Sequence, residues 1–170
     1  MTNRFTLAIR RSLAIAAILL STGLMAGTAQ AQSRPIVHYL EFQVRTGGDD
    51  LRGGNDNAFI QVVTANGNGQ EQLNGGHVRL RDYTTKTVRV HLPRNTAFRQ
   101  IQGFKLFVHG FRGDWHGDNW NVDAIRVTAV TEDGRRILMF NEPSLGLRFT
   151  RHNREFVQRC SMSKITLPCA

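Results

Sequence analysis

Apolar and polar residues alternate with period two along most of the chain beyond residue 35. Within Ile36 to Thr46, Leu40, Phe42 and Val44 share one parity and Glu41, Gln43 and Arg45 the other, the pattern of a strand with one buried face. Ala58 to Thr64, His77 to Leu80 and Lys86 to Leu92 repeat it, and Pro93 ends the last of these runs. Gly103 to Gly110 carries Phe104, Leu106 and Val108 on one parity and Lys105, Phe107 and His109 on the other, so the reading is a strand covered on both sides. Trp120 to Val130 and Arg135 to Phe140 follow, joined by a tight Glu132-Asp133-Gly134 turn, and Leu145 to Thr150 supplies one more.

Inside the Trp120 run the phase slips. Trp120 and Val122 share one parity while Ile125 and Val127 take the other, which predicts a bulge near Asp123-Ala124. The polar stretch Ala65 to Gly76, with Asn66-Gly67 and Asn74-Gly75-Gly76, reads as a loop or an extended hairpin. Seven to eight short strands and no long amphipathic helix predict an all-β fold, an antiparallel two-sheet β-sandwich over residues 32–150, with a closed barrel as the alternative.

The N-terminus breaks the pattern. Arg4, Arg10 and Arg11 precede an apolar run from Leu13 to Ala26, and Ala29-Gln30-Ala31 offers a small-x-small cleavage site. Residues 1–31 therefore read as a cleaved signal peptide and the protein as secreted, periplasmic or extracellular. Removing 31 of the 170 residues leaves 139, one domain's worth, with no further segment apolar enough to span a membrane. Cys160 and Cys169 fall in a C-terminal tail, 151–170, and in an oxidising compartment they predict a disulfide worth about 2–3 kcal/mol by chain entropy.

Two loops carry candidate chemistry. Thr46 to Asn57 holds Asp49, Asp50, Asn55 and Asp56 among four glycines, an oxygen-rich and freely bending segment suited to Ca2+, although the same residues make ordinary turns. The EF-hand pattern is absent. His109 to Asp123 contains Trp115 and His116, flanked by Asp114 and Asp118. An exposed indole at Trp115 would stack on a sugar ring or enter a bilayer interface, or would fold back to cap the sandwich; Asp118 would join the first loop in a metal site if both loops share one end.

The strand ending in Val44-Arg45-Thr46-Gly47, the Gly/Asp/Asn loop after it, and the late W-N-V-D-A-I-R-V of Trp120 to Val127 together resemble a PLAT domain, the lipoxygenase-type β-sandwich. Trp120, Val122, Ile125 and Val127 fill the positions of that family's Trp-led strand, and the match covers roughly residues 37–130. The resemblance implies a non-catalytic module that meets lipid surfaces or partner proteins, in some members through calcium held by loop carboxylates; Asp49, Asp50 and Asp118 are the nearest candidates here.

Catalytic motifs are missing. No serine lies in G-x-S-x-G, His109 and His116 have no H-E-x-x-H context, and no carboxylate pair is singled out for glycoside hydrolysis. Basic residues recur at Arg79, Arg81, Lys86 and Arg89 and again at Arg148, Arg151, Arg154 and Arg159. They protect strand edges, and outside the cytoplasm they would also attract acidic polysaccharide or anionic headgroups. No nucleic-acid motif accompanies them. The sequence thus predicts a secreted module that binds a lipid, glycan or protein surface through residues 46–57 and 109–121. A carbohydrate-active module and a structural envelope protein without small ligand are the alternatives.

Overall fold

The computed structural model describes residues 35–110, 119–161 and 168–169. Among them, nine strands form two antiparallel sheets. One sheet contains β1 (Val37–Thr46), β4 (Thr85–His91), β6 (Trp120–Thr131), β7 (Arg136–Glu142) and β8 (Leu147–Phe149), in the order β4-β1-β6-β7 with β8 also on β6. The other contains β2 (Asn57–Thr64), β3 (Gly67–Gln72), β5 (Ile101–His109) and β9 (Glu155–Arg159), in the order β3-β2-β5-β9. Two open sheets rather than one closed ladder make this a β-sandwich.

Alternation sets which face is inside. Leu40, Phe42 and Val44 of β1 oppose Ala58, Ile60 and Val62 of β2 and Phe104, Leu106 and Val108 of β5 in one buried core. Phe104 stitches the layers together, meeting Phe42 at 5.2 Å and Phe140 at 5.5 Å, both edge to face. The phase slip in β6 is a bulge: Arg45 pairs with Ala124 and Thr46 with Val122, leaving Asp123 as the extra residue.

The polar stretch takes the second of its two readings, and local structure then departs from the period-two reading in three places. Residues 65–76 form the extended hairpin, with β3 registered on β2 from Thr64↔Gly67 to Phe59↔Gln72. His77 to Leu80 is not a strand, because Gly75–His77 makes a 3-10 turn and His77 takes a positive φ of 59°; only Leu80 pairs, through a single bridge to Leu51. The tail contributes β9, whose Phe156 packs on Phe104 at 6.3 Å while the adjacent Val157 is 57% exposed, so adjacent apolar residues conceal its period. The second face of β5 is open: Phe107 is half-buried beside Phe59, and His109 is exposed.

The Cys160–Cys169 disulfide is formed. Cys160 donates its backbone N–H to Gln102 O at 2.9 Å and Cys169 to Met139 O at 3.1 Å, so the bond ties the β5/β9 side of one sheet to β7 of the other. Among the described residues no helix is long and apolar enough to cross a membrane. The predicted signal peptide, 1–31, lies outside the described residues.

Candidate functional site

The flanks of the two loops meet at one pole of the sandwich. Gly47 donates to Asn121 O at 2.7 Å and Asn121 returns a bond to Asp49 O at 2.9 Å, joining the exit of β1 to the entry of β6. On the other sheet Asn57 pairs with His109, and Gly110, at φ +117°, lies so close to Asn55 and Asp56 that an added Cβ would stand 2.8 Å from Asp56 Cα. A third segment, 73–84, lies against the first loop. Leu80 N–H reaches Leu51 O at 2.8 Å, Gly54 N–H reaches His77 O at 3.1 Å and Tyr83 N–H reaches Gly47 O at 3.1 Å.

Below this pole the core is firm. Trp120 is fully buried, stacks on Phe149 at 5.2 Å and donates its indole N–H to the Thr46 hydroxyl at 3.2 Å, so one side chain fixes the end of β1, the start of β6 and β8. Asn74, 1% exposed, accepts from Ala58 N–H at 3.0 Å and donates to Asp56 O at 3.1 Å. Its amide also donates to Asn57 Oδ1 at 3.2 Å, and Gln72 donates to the same oxygen at 2.9 Å. This amide network holds residues 55–57 in place, and a lone Asn in a Gly-rich turn gave no signal of it.

The candidate cation ligands face arginine. Asp50 is buried and accepts from Arg79 Nε, and Asp49 accepts from Arg148 Nη2 at 3.1 Å. Asn55 is exposed and Asp56 half-buried in the same loop. Among the described residues no three His, Cys, Asp or Glu side chains converge as a metal set would require. In this arrangement guanidinium groups supply the positive charge at both leading carboxylates. Asn121 Oδ1, next to Gly47, is buried without a hydrogen-bond partner among the described residues. Trp115, His116 and Asp118 lie outside the described residues.

What the pole displays is apolar tips among cations. Val78 is 59% and Tyr83 66% exposed, and Tyr83 holds a positive φ of 55°, an uncommon conformation for a bulky residue. Exposed arginines stand on the same and nearby segments: Arg52 on the first loop, Arg79 and Arg81 beside Val78 and Tyr83 in sequence, Arg148 on β8, and Arg151 and Arg154 in the turn whose Arg154 O accepts Val108 N–H at 2.9 Å. Six arginines thus stand near Asp49, Asp50, Asp56, Asp82 and Asp123, with Asp50 on Arg79 and Asp49 on Arg148. Period-two reading hid both: Val78 shares parity with Leu80 in a run read as a half-buried strand, and Tyr83 sits among charged and polar residues that look like solvated surface.

No protein-family model and no curated protein matches the sequence. Solved structures do match in shape. Alpha toxin from Clostridium absonum superposes with a TM-score of 0.57 at 11% identity, over 78% of this chain and 34% of the toxin. Clostridium perfringens alpha-toxin from avian strain SWCP gives 0.56 at 14% identity, over 76% and 33%. A LOX structure in complex with arachidonate gives 0.47 at 17% identity, over 70% of this chain and 16% of that one. This chain spans about a third of each toxin. The PLAT-like β-sandwich expected from Val44 to Gly47 and Trp120 to Val127 is the fold of this protein.

Proposed function

We propose that this is a secreted, non-catalytic module that docks on an anionic lipid surface through the loop pole. The observation that carries the reading is the exposure of Val78 and Tyr83 on a segment that also carries exposed Arg79 and Arg81, with further exposed arginines at Arg52, Arg148, Arg151 and Arg154. Short apolar side chains gain by entering the interfacial region, and each arginine held near an anionic surface adds roughly 1 kcal/mol at moderate salt. The reading assigns Trp115 and His116, on the segment joining β5 to β6, to the same contact. The disulfide and the leader-like N-terminus support export.

Calcium enters only by displacing Arg148 from Asp49 and Arg79 from Asp50, with Asn55, Asp56 and Asp118 completing the set. Co-sedimentation with phosphatidylcholine vesicles, with and without phosphatidylserine, tests the proposal, and EDTA or added Ca2+ tests the ion. Binding is expected with phosphatidylserine alone, to fall with salt, and to weaken about tenfold in the Val78→Ser/Tyr83→Ser double variant, close to 1.4 kcal/mol. Equal binding to neutral vesicles, or a double variant that binds like wild type, refutes the lipid reading. Binding that requires Ca2+ would restore the ion to the site.

A further inference from the structure

The outer face of the β3-β2-β5-β9 sheet carries chemistry that the loop pole does not use. Phe59 and Phe107 are directly paired across β2 and β5 and stack at 5.5 Å with planes 21° apart. The next rung joins Gln70, Gln61, Lys105 and Val157 across all four strands, with Gln61 donating to Gln70 at 3.4 Å and Lys105 Nζ 4.6 Å from the Phe107 ring centre. One rung further, Gly103 stands between Val63 and Arg159. Lacking a side chain, Gly103 lets the β9 backbone approach, where an added Cβ would overlap Gln158 O, and a groove of about 310 Å³ lies between Lys105 and Arg159.

Phe59 and Phe107 are half-buried rather than covered, and Val157 is 57% exposed. Two neutral amides and two cations lie on adjacent rungs, with the exposed carboxylate of Glu155 beside Phe107 on the aromatic one. Those groups match a ligand with apolar C–H faces, many hydroxyls and periodic negative charge. Aromatic rings pack on the C–H face of a pyranose, and an amide offers a donor and an acceptor to a pair of hydroxyls. A guanidinium takes a carboxylate in bidentate fashion, and an ammonium adds a second positive point.

We infer that this sheet face binds an acidic polysaccharide, its sugar rings on Phe59 and Phe107 and its uronate carboxylates at Lys105 and Arg159. The site lies on strands rather than loops, so backbone ladders fix its spacing. Arg159 is held next to the disulfide, since Cys160 follows it directly. The inference does not depend on lipid docking at the pole.

Affinity electrophoresis of the disulfide-intact protein in gels containing polygalacturonate, with dextran as the neutral control, tests it. Retardation is expected with polygalacturonate only. Lys105→Gln combined with Arg159→Gln should weaken it about tenfold, equivalent to 1.4 kcal/mol, and Phe107→Ala by a similar factor. Gln61→Ala, on an exposed rung, keeps the test valid if Phe107→Ala fails to fold, and should weaken retardation several-fold. The Val78→Ser/Tyr83→Ser variant should be retarded like wild type while losing vesicle binding. Absence of retardation, equal retardation by dextran, or wild-type retardation of the double Lys/Arg variant overturns the inference. Loss caused by the pole variant instead would move polyanion binding to the loops and overturn it equally.

Discussion

Gly110→Ala is the sharpest probe of whether the two loops are mechanically joined. Gly110 takes φ +117°, a region that L side chains rarely enter, and its missing Cβ is what lets the chain lie against Asn55 O and Asp56. The strained backbone should cost about 1–3 kcal/mol and the forced overlap a further 1–3, offset by about 0.4–1 kcal/mol from a stiffer unfolded chain. The net loss is about 1–5 kcal/mol, or roughly 3–20 °C in Tm for a domain of this size. Two other glycines calibrate the result. Gly54 has φ +66° with open space around its Cβ, so Gly54→Ala should cost about 1 kcal/mol from backbone conformation alone. Gly75 has open space and no positive φ, and Gly75→Ala should be close to neutral. Circular dichroism melts of the three variants give the order. If Gly110→Ala melts with Gly54→Ala, the loops are not in contact at Asp56 and the shared pole loses its basis.

Two further outcomes follow from buried and hydrogen-bonded groups. Trp120→Ala should destabilise by about 3–5 kcal/mol in urea titrations, and Trp120→Phe by about 1–2, because the latter keeps the ring against Phe149 but leaves the buried Thr46 hydroxyl without its donor; equal losses would show that the ring packing contributes nothing, and a neutral Trp120→Phe that the hydrogen bond contributes nothing. The Thr131 hydroxyl, above all, holds the Asp133 carboxyl below its ordinary value, with Arg135 assisting through its backbone N–H and its charge. A folded pKa below the unfolded one means that this turn is stabilised above the unfolded pKa and loses that contribution as pH falls through the folded value. Carbon-detected NMR titration should therefore place Asp133 below 3.8 and Thr131→Val should move it up; no movement would remove the hydroxyl as the cause.

The sandwich was legible because its interior follows period two: Leu40, Phe42 and Val44, and later Phe104, Leu106 and Val108, announce their faces directly. Even the Asp123 bulge appeared as a change of parity between Val122 and Ile125. The site was legible only in outline. Glycine and aspartate at 47–57 mark a bend, but whether a carboxylate meets a metal or an arginine depends on partners at positions 79 and 148, which only pairing between distant strands brings near. Tyr83 and Val78 escaped for the opposite reason, since exposure of an apolar side chain is a property of the surface around it. The sheet-face rungs needed register: Phe59 and Phe107 are 48 positions apart and become neighbours only through β2–β5 pairing.

The covalent link between Cys160 and Cys169 has a consequence for handling. β9 and β7 are the terminal strands of their respective sheets, and the link draws the ends of both onto the same flank. Cutting it with a thiol removes the covalent tie between these two end strands, whose outer rims are of the kind that recruits another molecule by strand addition. Dithiothreitol should therefore increase self-association, read by light scattering against the untreated protein.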